Sequence, residues 1–250
     1  MSFKTILYES KNKIGYITLN RPERHNAMDY QMLDDLDMVL DHSEADKSVN
    51  AIVIKGSGKS FCSGYDLNGS YYITPPEGGW TYRKMYEILE KKIYAKYLRI
   101  WKFPKPTIAQ IHGHCLAAGC YLQLLCDISI AANDANLGHP ATRGGFSTSM
   151  PLWQVYLGIK KARYLLMTGL TIDGVEAERI GLVSLSVPRE QLEEKVNEIA
   201  ARLADVPFNG ALHGKTTLNT ALEIMGVNTL FTYHGQRNKN TRLMFRRNTN

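Results

Sequence analysis

A chain of 250 residues, 44% hydrophobic and 22% charged, has the make-up of an ordinary globular protein and is long enough for one large core. No apolar run approaches the roughly 18 residues of a membrane helix, and Met1 to Thr5 carry no signal-like apolar region, so a cytoplasmic protein without a membrane partner is expected. The net charge of +6 is unevenly placed: Arg237, Lys239, Arg242, Arg246 and Arg247 stand together without an acid, and the rest carries 25 basic against 24 acidic residues. A basic tail suits a phosphorylated ligand or a charged surface; without interleaved aromatics, nucleic acid is the weakest candidate and is not expected. The four cysteines, Cys62, Cys115, Cys120 and Cys126, form no C-x-x-C pair and read as reduced core thiols.

Thr5 to Ser10 and Ile14 to Leu19 read as two strands joined by the polar turn Lys11-Asn12-Lys13. Pro22 ends the second, and apolar residues at Met28, Met32, Leu33, Leu36, Val39 and Leu40 mark one face of a helix over 28–41. Ala51 to Ile54 is a buried strand leading to a turn at Gly64. Residues 68–81, with Pro75, Pro76, Gly78 and Gly79, read as a long loop whose Tyr71, Tyr72 and Trp80 either wall a pocket or pack the loop down. Residues 82–100 follow as an amphipathic helix, and Ile108 to Ile111 as a second buried strand.

Ala117-Ala118-Gly119 is a small-residue turn opening a helix over Tyr121 to Leu125. Further on, residues 137–145 form a Gly/Pro-rich loop, 149–157 and 161–167 two helices ending at Gly158 and Gly169, and 176–180 a short helix. A strand over 182–187 and a helix over 189–204 follow, and the pattern from Ala211 onward is helical. Strands alternating with helices argue an α/β fold, with no boundary inside 1–205 and a helical segment with the basic tail over 206–250. No nucleotide-binding glycine loop and no H-E-x-x-H or paired C-x-x-C is present, so no metal is expected.

The turns at Gly64 and at Ala117–Gly119 both follow apolar runs and both bring backbone N–H groups forward. Two such donors can hold one developing oxyanion, although both turns are equally ordinary features of an α/β domain.

Arg21-Pro22-Glu23-Arg24-His25-Asn26-Ala27-Met28, Ser60-Phe61-Cys62-Ser63-Gly64-Tyr65-Asp66-Leu67, His112 to Cys120 and Cys126 to Ala131 together resemble the crotonase (enoyl-CoA hydratase/isomerase) superfamily. Leu166 to Thr171 and Ala177 to Val183 continue the likeness, which spans about residues 5–205 in order. The resemblance implies a fold of repeated ββα units with a helical C-terminal trimerisation segment, hence a homotrimer or a dimer of trimers. It also implies an acyl-CoA substrate, the coenzyme A being part of the substrate and no separate cofactor being required. The thioester oxygen would lie between the N–H groups of Tyr65 and Ala118. Arg24, Asn26, Ala27, Ser63, Gly64, Asp66 and Leu67 would border the CoA, with Arg24 and the basic tail as candidates for its phosphates.

The acid/base positions depart from that pattern. Where hydratases of the superfamily carry one glutamate this chain has Tyr121, and where they carry a second, after a proline, it has Ala141. Hydration needs one group to activate water and another to manage the α-proton, so a simple hydratase is not expected. His139, Tyr121 and Arg143 are the replacement candidates, Arg143 as a holder of a substrate carboxylate; His114 and Asp134 read as structural. The expected function is an enolate-stabilising lyase, isomerase or hydratase on an acyl-CoA. The alternatives are a C–C bond hydrolase or decarboxylase on a β-keto or β-carboxy thioester of CoA or acyl-carrier protein, and a catalytically silent binding or assembly subunit.

Overall fold

The computed structural model describes residues 3–68, 81–85, 87, 93, 95–146, 148 and 150–231. Tyr71, Tyr72, Trp80 and the basic residues 237–247 lie outside them.

A six-stranded sheet runs in the order β1 (Ile6–Lys11), β2 (Ile14–Leu19), β3 (Ala51–Gly56), β4 (Thr107–Ile111), β6 (Ile128–Ala132), β9 (Leu185–Val187). Only the β1–β2 hairpin is antiparallel; Asn12 and Lys13 turn it with φ of 53° and 63°, the backbone a tight two-residue hairpin demands. The other pairings are parallel. Such strands are covered on both faces, and Ala51 to Ile54 and Ile108, Ala109 and Ile111 are accordingly almost wholly buried.

A smaller sheet joins β5 (His114–Leu116), β7 (Asn136–Gly138) and β8 (Thr171–Ile172). The chain passes from large sheet to small sheet to helix twice, through β4, β5 and α4 (Ala118–Leu125), then through β6, β7 and α5 (Leu152–Thr168). This is the ββα repeat. Cys62 bridges Cys115 and Tyr65 bridges Met28, so the residues after β3 join the same second layer.

Helix α1 (Tyr30–Ala45) starts where the Asp29 carboxylate accepts the Met32 N–H at 2.8 Å, and it buries Met32, Leu33, Leu36, Val39 and Leu40. The buried Asp35 on this helix accepts the N–H groups of Lys4 and Thr5, the Thr5 hydroxyl and the Gln31 amide, so that the N-terminal strand is tied down. Burial alone would raise its pKa; these hydrogen bonds outweigh burial and hold the carboxylate below its ordinary value. At the other end of α1 the buried Lys105 ammonium donates to the carbonyls of Ser43 and Asp46, satisfying groups the helix terminus leaves open.

The helix expected over 82–100 is found at its two ends as α2 (Tyr82–Met85) and α3 (Ala95–Trp101), and the described residues between them, Glu87 and Ile93, are helical too. Three other expectations change. The loop expected over 137–145 contains β7 and a 3-10 helix (Pro140–Gly144), because Asn136 to Gly138 pair with His114 to Leu116. The strand expected over 182–187 shrinks to Leu185–Val187, because the N–H groups of Leu182 and Val183 turn back to the Ala177 carbonyl after α6 (Gly174–Arg179). The helix expected over 189–204 opens with a 3-10 turn before α7 (Leu192–Ala204). The two helices divided at Gly158 are both present in α5, broken there at φ 68°, ψ 162°.

Helix α8 (Phe208–Ile224) docks through polar contacts: Lys215 donates to Asp127 and Asn219 to the Trp101 carbonyl, while none of its residues is fully buried. No described helix is long and apolar enough to cross a membrane. All four cysteines are free and buried, packed in the core as their spacing suggested.

Candidate active site

The two small-residue turns meet. Gly64 adopts φ 110°, a conformation that favours glycine, and a β-carbon placed on it would stand 3.1 Å from the Ala117 methyl, 3.2 Å from the Leu116 carbonyl oxygen and 3.6 Å from the Ala118 nitrogen. The Gly64 carbonyl accepts from Met28 N–H at 2.8 Å and the Asp66 N–H donates to the Met28 carbonyl at 2.9 Å, so Tyr65 is held between two ladder bonds. Ala118 is the first residue of α4, where helix geometry leaves N–H groups without an intrahelical acceptor. Thus Tyr65 and Ala118 are brought to adjoining turns, as two donors to one oxygen require.

Both turns line a cavity of about 710 Å³. One wall comes from Glu23, Arg24, His25, Ala27, Ser63 and Tyr65 to Asn68, the other from Ala117, Ala118, Tyr121, His139 to Ala141, Gly144 and Phe146. Arg24, Ala27, Ser63, Asp66 and Leu67 are therefore on the lining. The Asp66 carboxylate is already engaged, accepting from Arg21 at 2.8 Å and from the Asn68 N–H at 2.9 Å. Burial opposes its charge, but these bonds and the Arg21 and Arg24 cations prevail and hold its pKa low. It is a fixed anion rather than a proton acceptor.

Two expected site residues stand elsewhere. Asn26 is fully buried behind the wall, where its amide donates to the carbonyls of Ser57 and Ser60 and accepts from the Arg21 N–H; it shapes the loop rather than facing the cavity. Arg143 is carried by the 3-10 turn away from the lining, where its guanidinium donates to the Thr168 carbonyl at 3.3 Å and its stem crosses Gly169, on which a β-carbon would come within 2.9 Å of it. Among the described residues, the wall of Tyr121 and His139 therefore carries no cation for a substrate carboxylate. His114 stacks edge-on against His25, and Asp134 pairs with Arg189.

Tyr121 and His139 form the chemical centre of the inner wall. The phenol oxygen lies 2.7 Å from His139 Nε2, the rings are stacked with centroids 5.6 Å apart, and both residues are buried. The other ring nitrogen, Nδ1, faces the Thr142 hydroxyl at 3.3 Å. Burial pushes the imidazole pKa down to about 4, so the ring is neutral at physiological pH. Tyr97 packs edge-on against both Tyr121 and Tyr65, with centroids 6.4 Å apart in each case, joining the two walls through one aromatic cluster.

Glu23, Asn68 and Phe146 also line the cavity and were not expected there. Phe146, directly after Gly144-Gly145, was the one with a signal, an apolar residue at the end of a glycine loop.

The sequence pattern of the family described as enoyl-CoA hydratase/isomerase matches residues 9–242. A probable enoyl-CoA hydratase of Rhizobium meliloti is 34% identical over 235 residues, covering 90% of this chain and 84% of that protein. A probable enoyl-CoA hydratase of Mycobacterium tuberculosis is 32% identical over 226 residues, covering 89% and 84%. The crystal structure of an enoyl-CoA hydratase/isomerase from Xanthobacter autotrophicus superposes with a TM-score of 0.89 at 32% identity, covering 96% of this chain and 87% of that one. With its layered ββα fold and its paired turns, the chain belongs to the enoyl-CoA hydratase/isomerase family.

Proposed function

We propose that this chain binds an acyl-CoA and stabilises the enolate of its thioester, and that it is not a simple hydratase. The observation that carries the reading is the close approach of the Gly64 turn to the Ala118 nitrogen at the cavity wall. In the reaction, the thioester oxygen accepts from the N–H groups of Tyr65 and Ala118. Such donors are fixed before the charge develops, and removal of one from an oxyanion site typically costs about 10²–10³ in rate. Arg24 is exposed at the cavity rim, which supports a role for its guanidinium in binding the CoA phosphates.

Proton transfer falls to Tyr121 and His139. With a proton on Nε2, the neutral His139 donates to the Tyr121 oxygen and stabilises the phenolate that remains when Tyr121 gives its proton to an enolate carbon. The acids on the described lining are Glu23 and Asp66, both from the other wall, and Asp66 is bound to Arg21. Among the described residues, a water molecule at the acyl carbon thus has no carboxylate beside it on the Tyr121 wall.

That single neutral donor also favours a second reading: cleavage of a C–C bond in a β-keto thioester, of CoA or of a carrier protein, which needs the departing enolate to be held and protonated. The diversion of Arg143 to Thr168 counts against β-carboxy substrates, whose carboxylate would meet no cation among the described residues of this wall. Assembly into a trimer or a dimer of trimers fits the apolar residues that α8 leaves exposed, Leu218 at 71% and Ile224 at 82%.

The test is calorimetric titration with CoA and butyryl-CoA, together with crotonyl-CoA hydration followed by loss of the enoyl-thioester absorbance. Tight thioester binding with slow hydration is expected. Ready hydration would defeat the assignment of Tyr121 and His139, and absence of CoA-thioester binding would leave a carrier-protein thioester or a silent subunit.

A further inference from the structure

Ala117 has an unusual backbone. Its φ of 48° and ψ of −112° lie near the first corner of a type II′ turn, about (60°, −120°), a place normally left to glycine. His25, by contrast, has positive φ but ψ 37° and occupies the ordinary left-handed well. For a residue with a β-carbon the Ala117 conformation is costly, and it persists only where the surroundings dictate it. They do so here: the Ala117 N–H donates to the Gly138 carbonyl at 2.9 Å, its carbonyl accepts from Tyr121 N–H at 3.2 Å, and the preceding Leu116 N–H donates to the Cys62 carbonyl at 2.9 Å.

Glycine would make the same three bonds without strain, since none involves the side chain. What alanine adds is one methyl group. That methyl lines the cavity, faces the bare Gly64 across the gap, and belongs to the residue directly before Ala118. With a thioester carbonyl held between Tyr65 and Ala118, that methyl would narrow the slot beside it, where the group bonded to the carbonyl is the Cα of the acyl chain.

We propose that Ala117 is a specificity-determining residue whose methyl excludes acyl groups branched at Cα, so that the substrates are thioesters with an unbranched Cα. The proposal rests on the thioester reading of the same cavity. Tightly packed pockets reject one extra methyl group by about 10-fold or more.

The test compares butyryl-CoA with 2-methylbutyryl-CoA on the full chain, on Ala117→Gly and on Ala117→Ser, by calorimetry and thermal unfolding. The unaltered chain should favour butyryl-CoA by at least about tenfold, and Ala117→Gly should bring the two within about threefold. Relief of strain should also raise the Tm of Ala117→Gly by about 2–4 °C, even after the greater freedom of glycine in the unfolded chain is offset. Ala117→Ser keeps the β-carbon and should keep the discrimination. An Ala117→Gly variant that discriminates as strongly as the parent, or that melts lower, overturns the proposal while the thioester reading stands. If butyryl-CoA binds the parent no better than free CoA, the thioester reading falls and this proposal with it.

Discussion

Gly119→Ala is expected to lower stability by about 1–3 kcal/mol and to slow enolate formation by about 100-fold. A β-carbon on Gly119 would lie 2.4 Å from the Cys62 carbonyl oxygen and 3.0 Å from the Cys62 β-carbon. That carbonyl cannot easily yield, because it already accepts the Leu116 N–H at 2.9 Å in the second layer. The start of α4 must therefore move away from the Gly64 turn, taking the Ala118 N–H with it. Urea unfolding measures the first effect; the rate of deuterium entry at Cα of butyryl-CoA in D₂O measures the second. Gly214 in α8 supplies the contrast: nothing lies within 4 Å of a β-carbon there, so Gly214→Ala should gain about 0.5–1 kcal/mol from helix propensity alone. A Gly119→Ala chain as stable and as quick as its parent would mean that the two turns are not locked together by this contact.

His139→Ala should reduce the same exchange rate by about 10²–10⁴, the usual worth of a positioned acid or base. Without the imidazole at 2.7 Å the Tyr121 phenolate loses its donor and the proton transfer its driving force. The pH profile separates this role from simple packing. With its pKa depressed from 6.5 to about 4, His139 is neutral over the working range, and exchange should fall only on an acid limb near pH 4 that His139→Ala lacks. Stability follows with the same sign. The unfolded chain binds a proton at this histidine before the folded one does, so its contribution is complete above pH 6.5 and is lost as pH falls through about 4. An unchanged exchange rate in His139→Ala would remove it from the mechanism.

Much of this arrangement is written in residue type. The β1–β2 hairpin, the buried runs of β3 and β4 and the α1 face follow from period and burial, and Gly64 and Gly119 mark their turns because a β-carbon at either would meet backbone or a facing side chain. Tyr121 and His139 could be singled out one at a time, but their contact could not, since it depends on β7 pairing with β5 to bring residue 139 back over α4. Arg143 misled for a related reason. A guanidinium near a pocket loop invites a binding role, yet the direction of its side chain is set by the 3-10 turn and by the bare surface of Gly169. The turn at Ala117 was legible but its backbone conformation was not, because alanine carries no sign of a positive φ.

The central claim is that the thioester carbonyl is polarised between the two backbone turns. Infrared difference spectroscopy of bound butyryl-CoA, with and without ¹³C at the carbonyl, reads that directly. Polarisation by the two N–H groups should bring the carbonyl stretch to lower wavenumber in the complex than in water. A bound thioester whose stretch is unshifted, or moved to higher wavenumber, would contradict it.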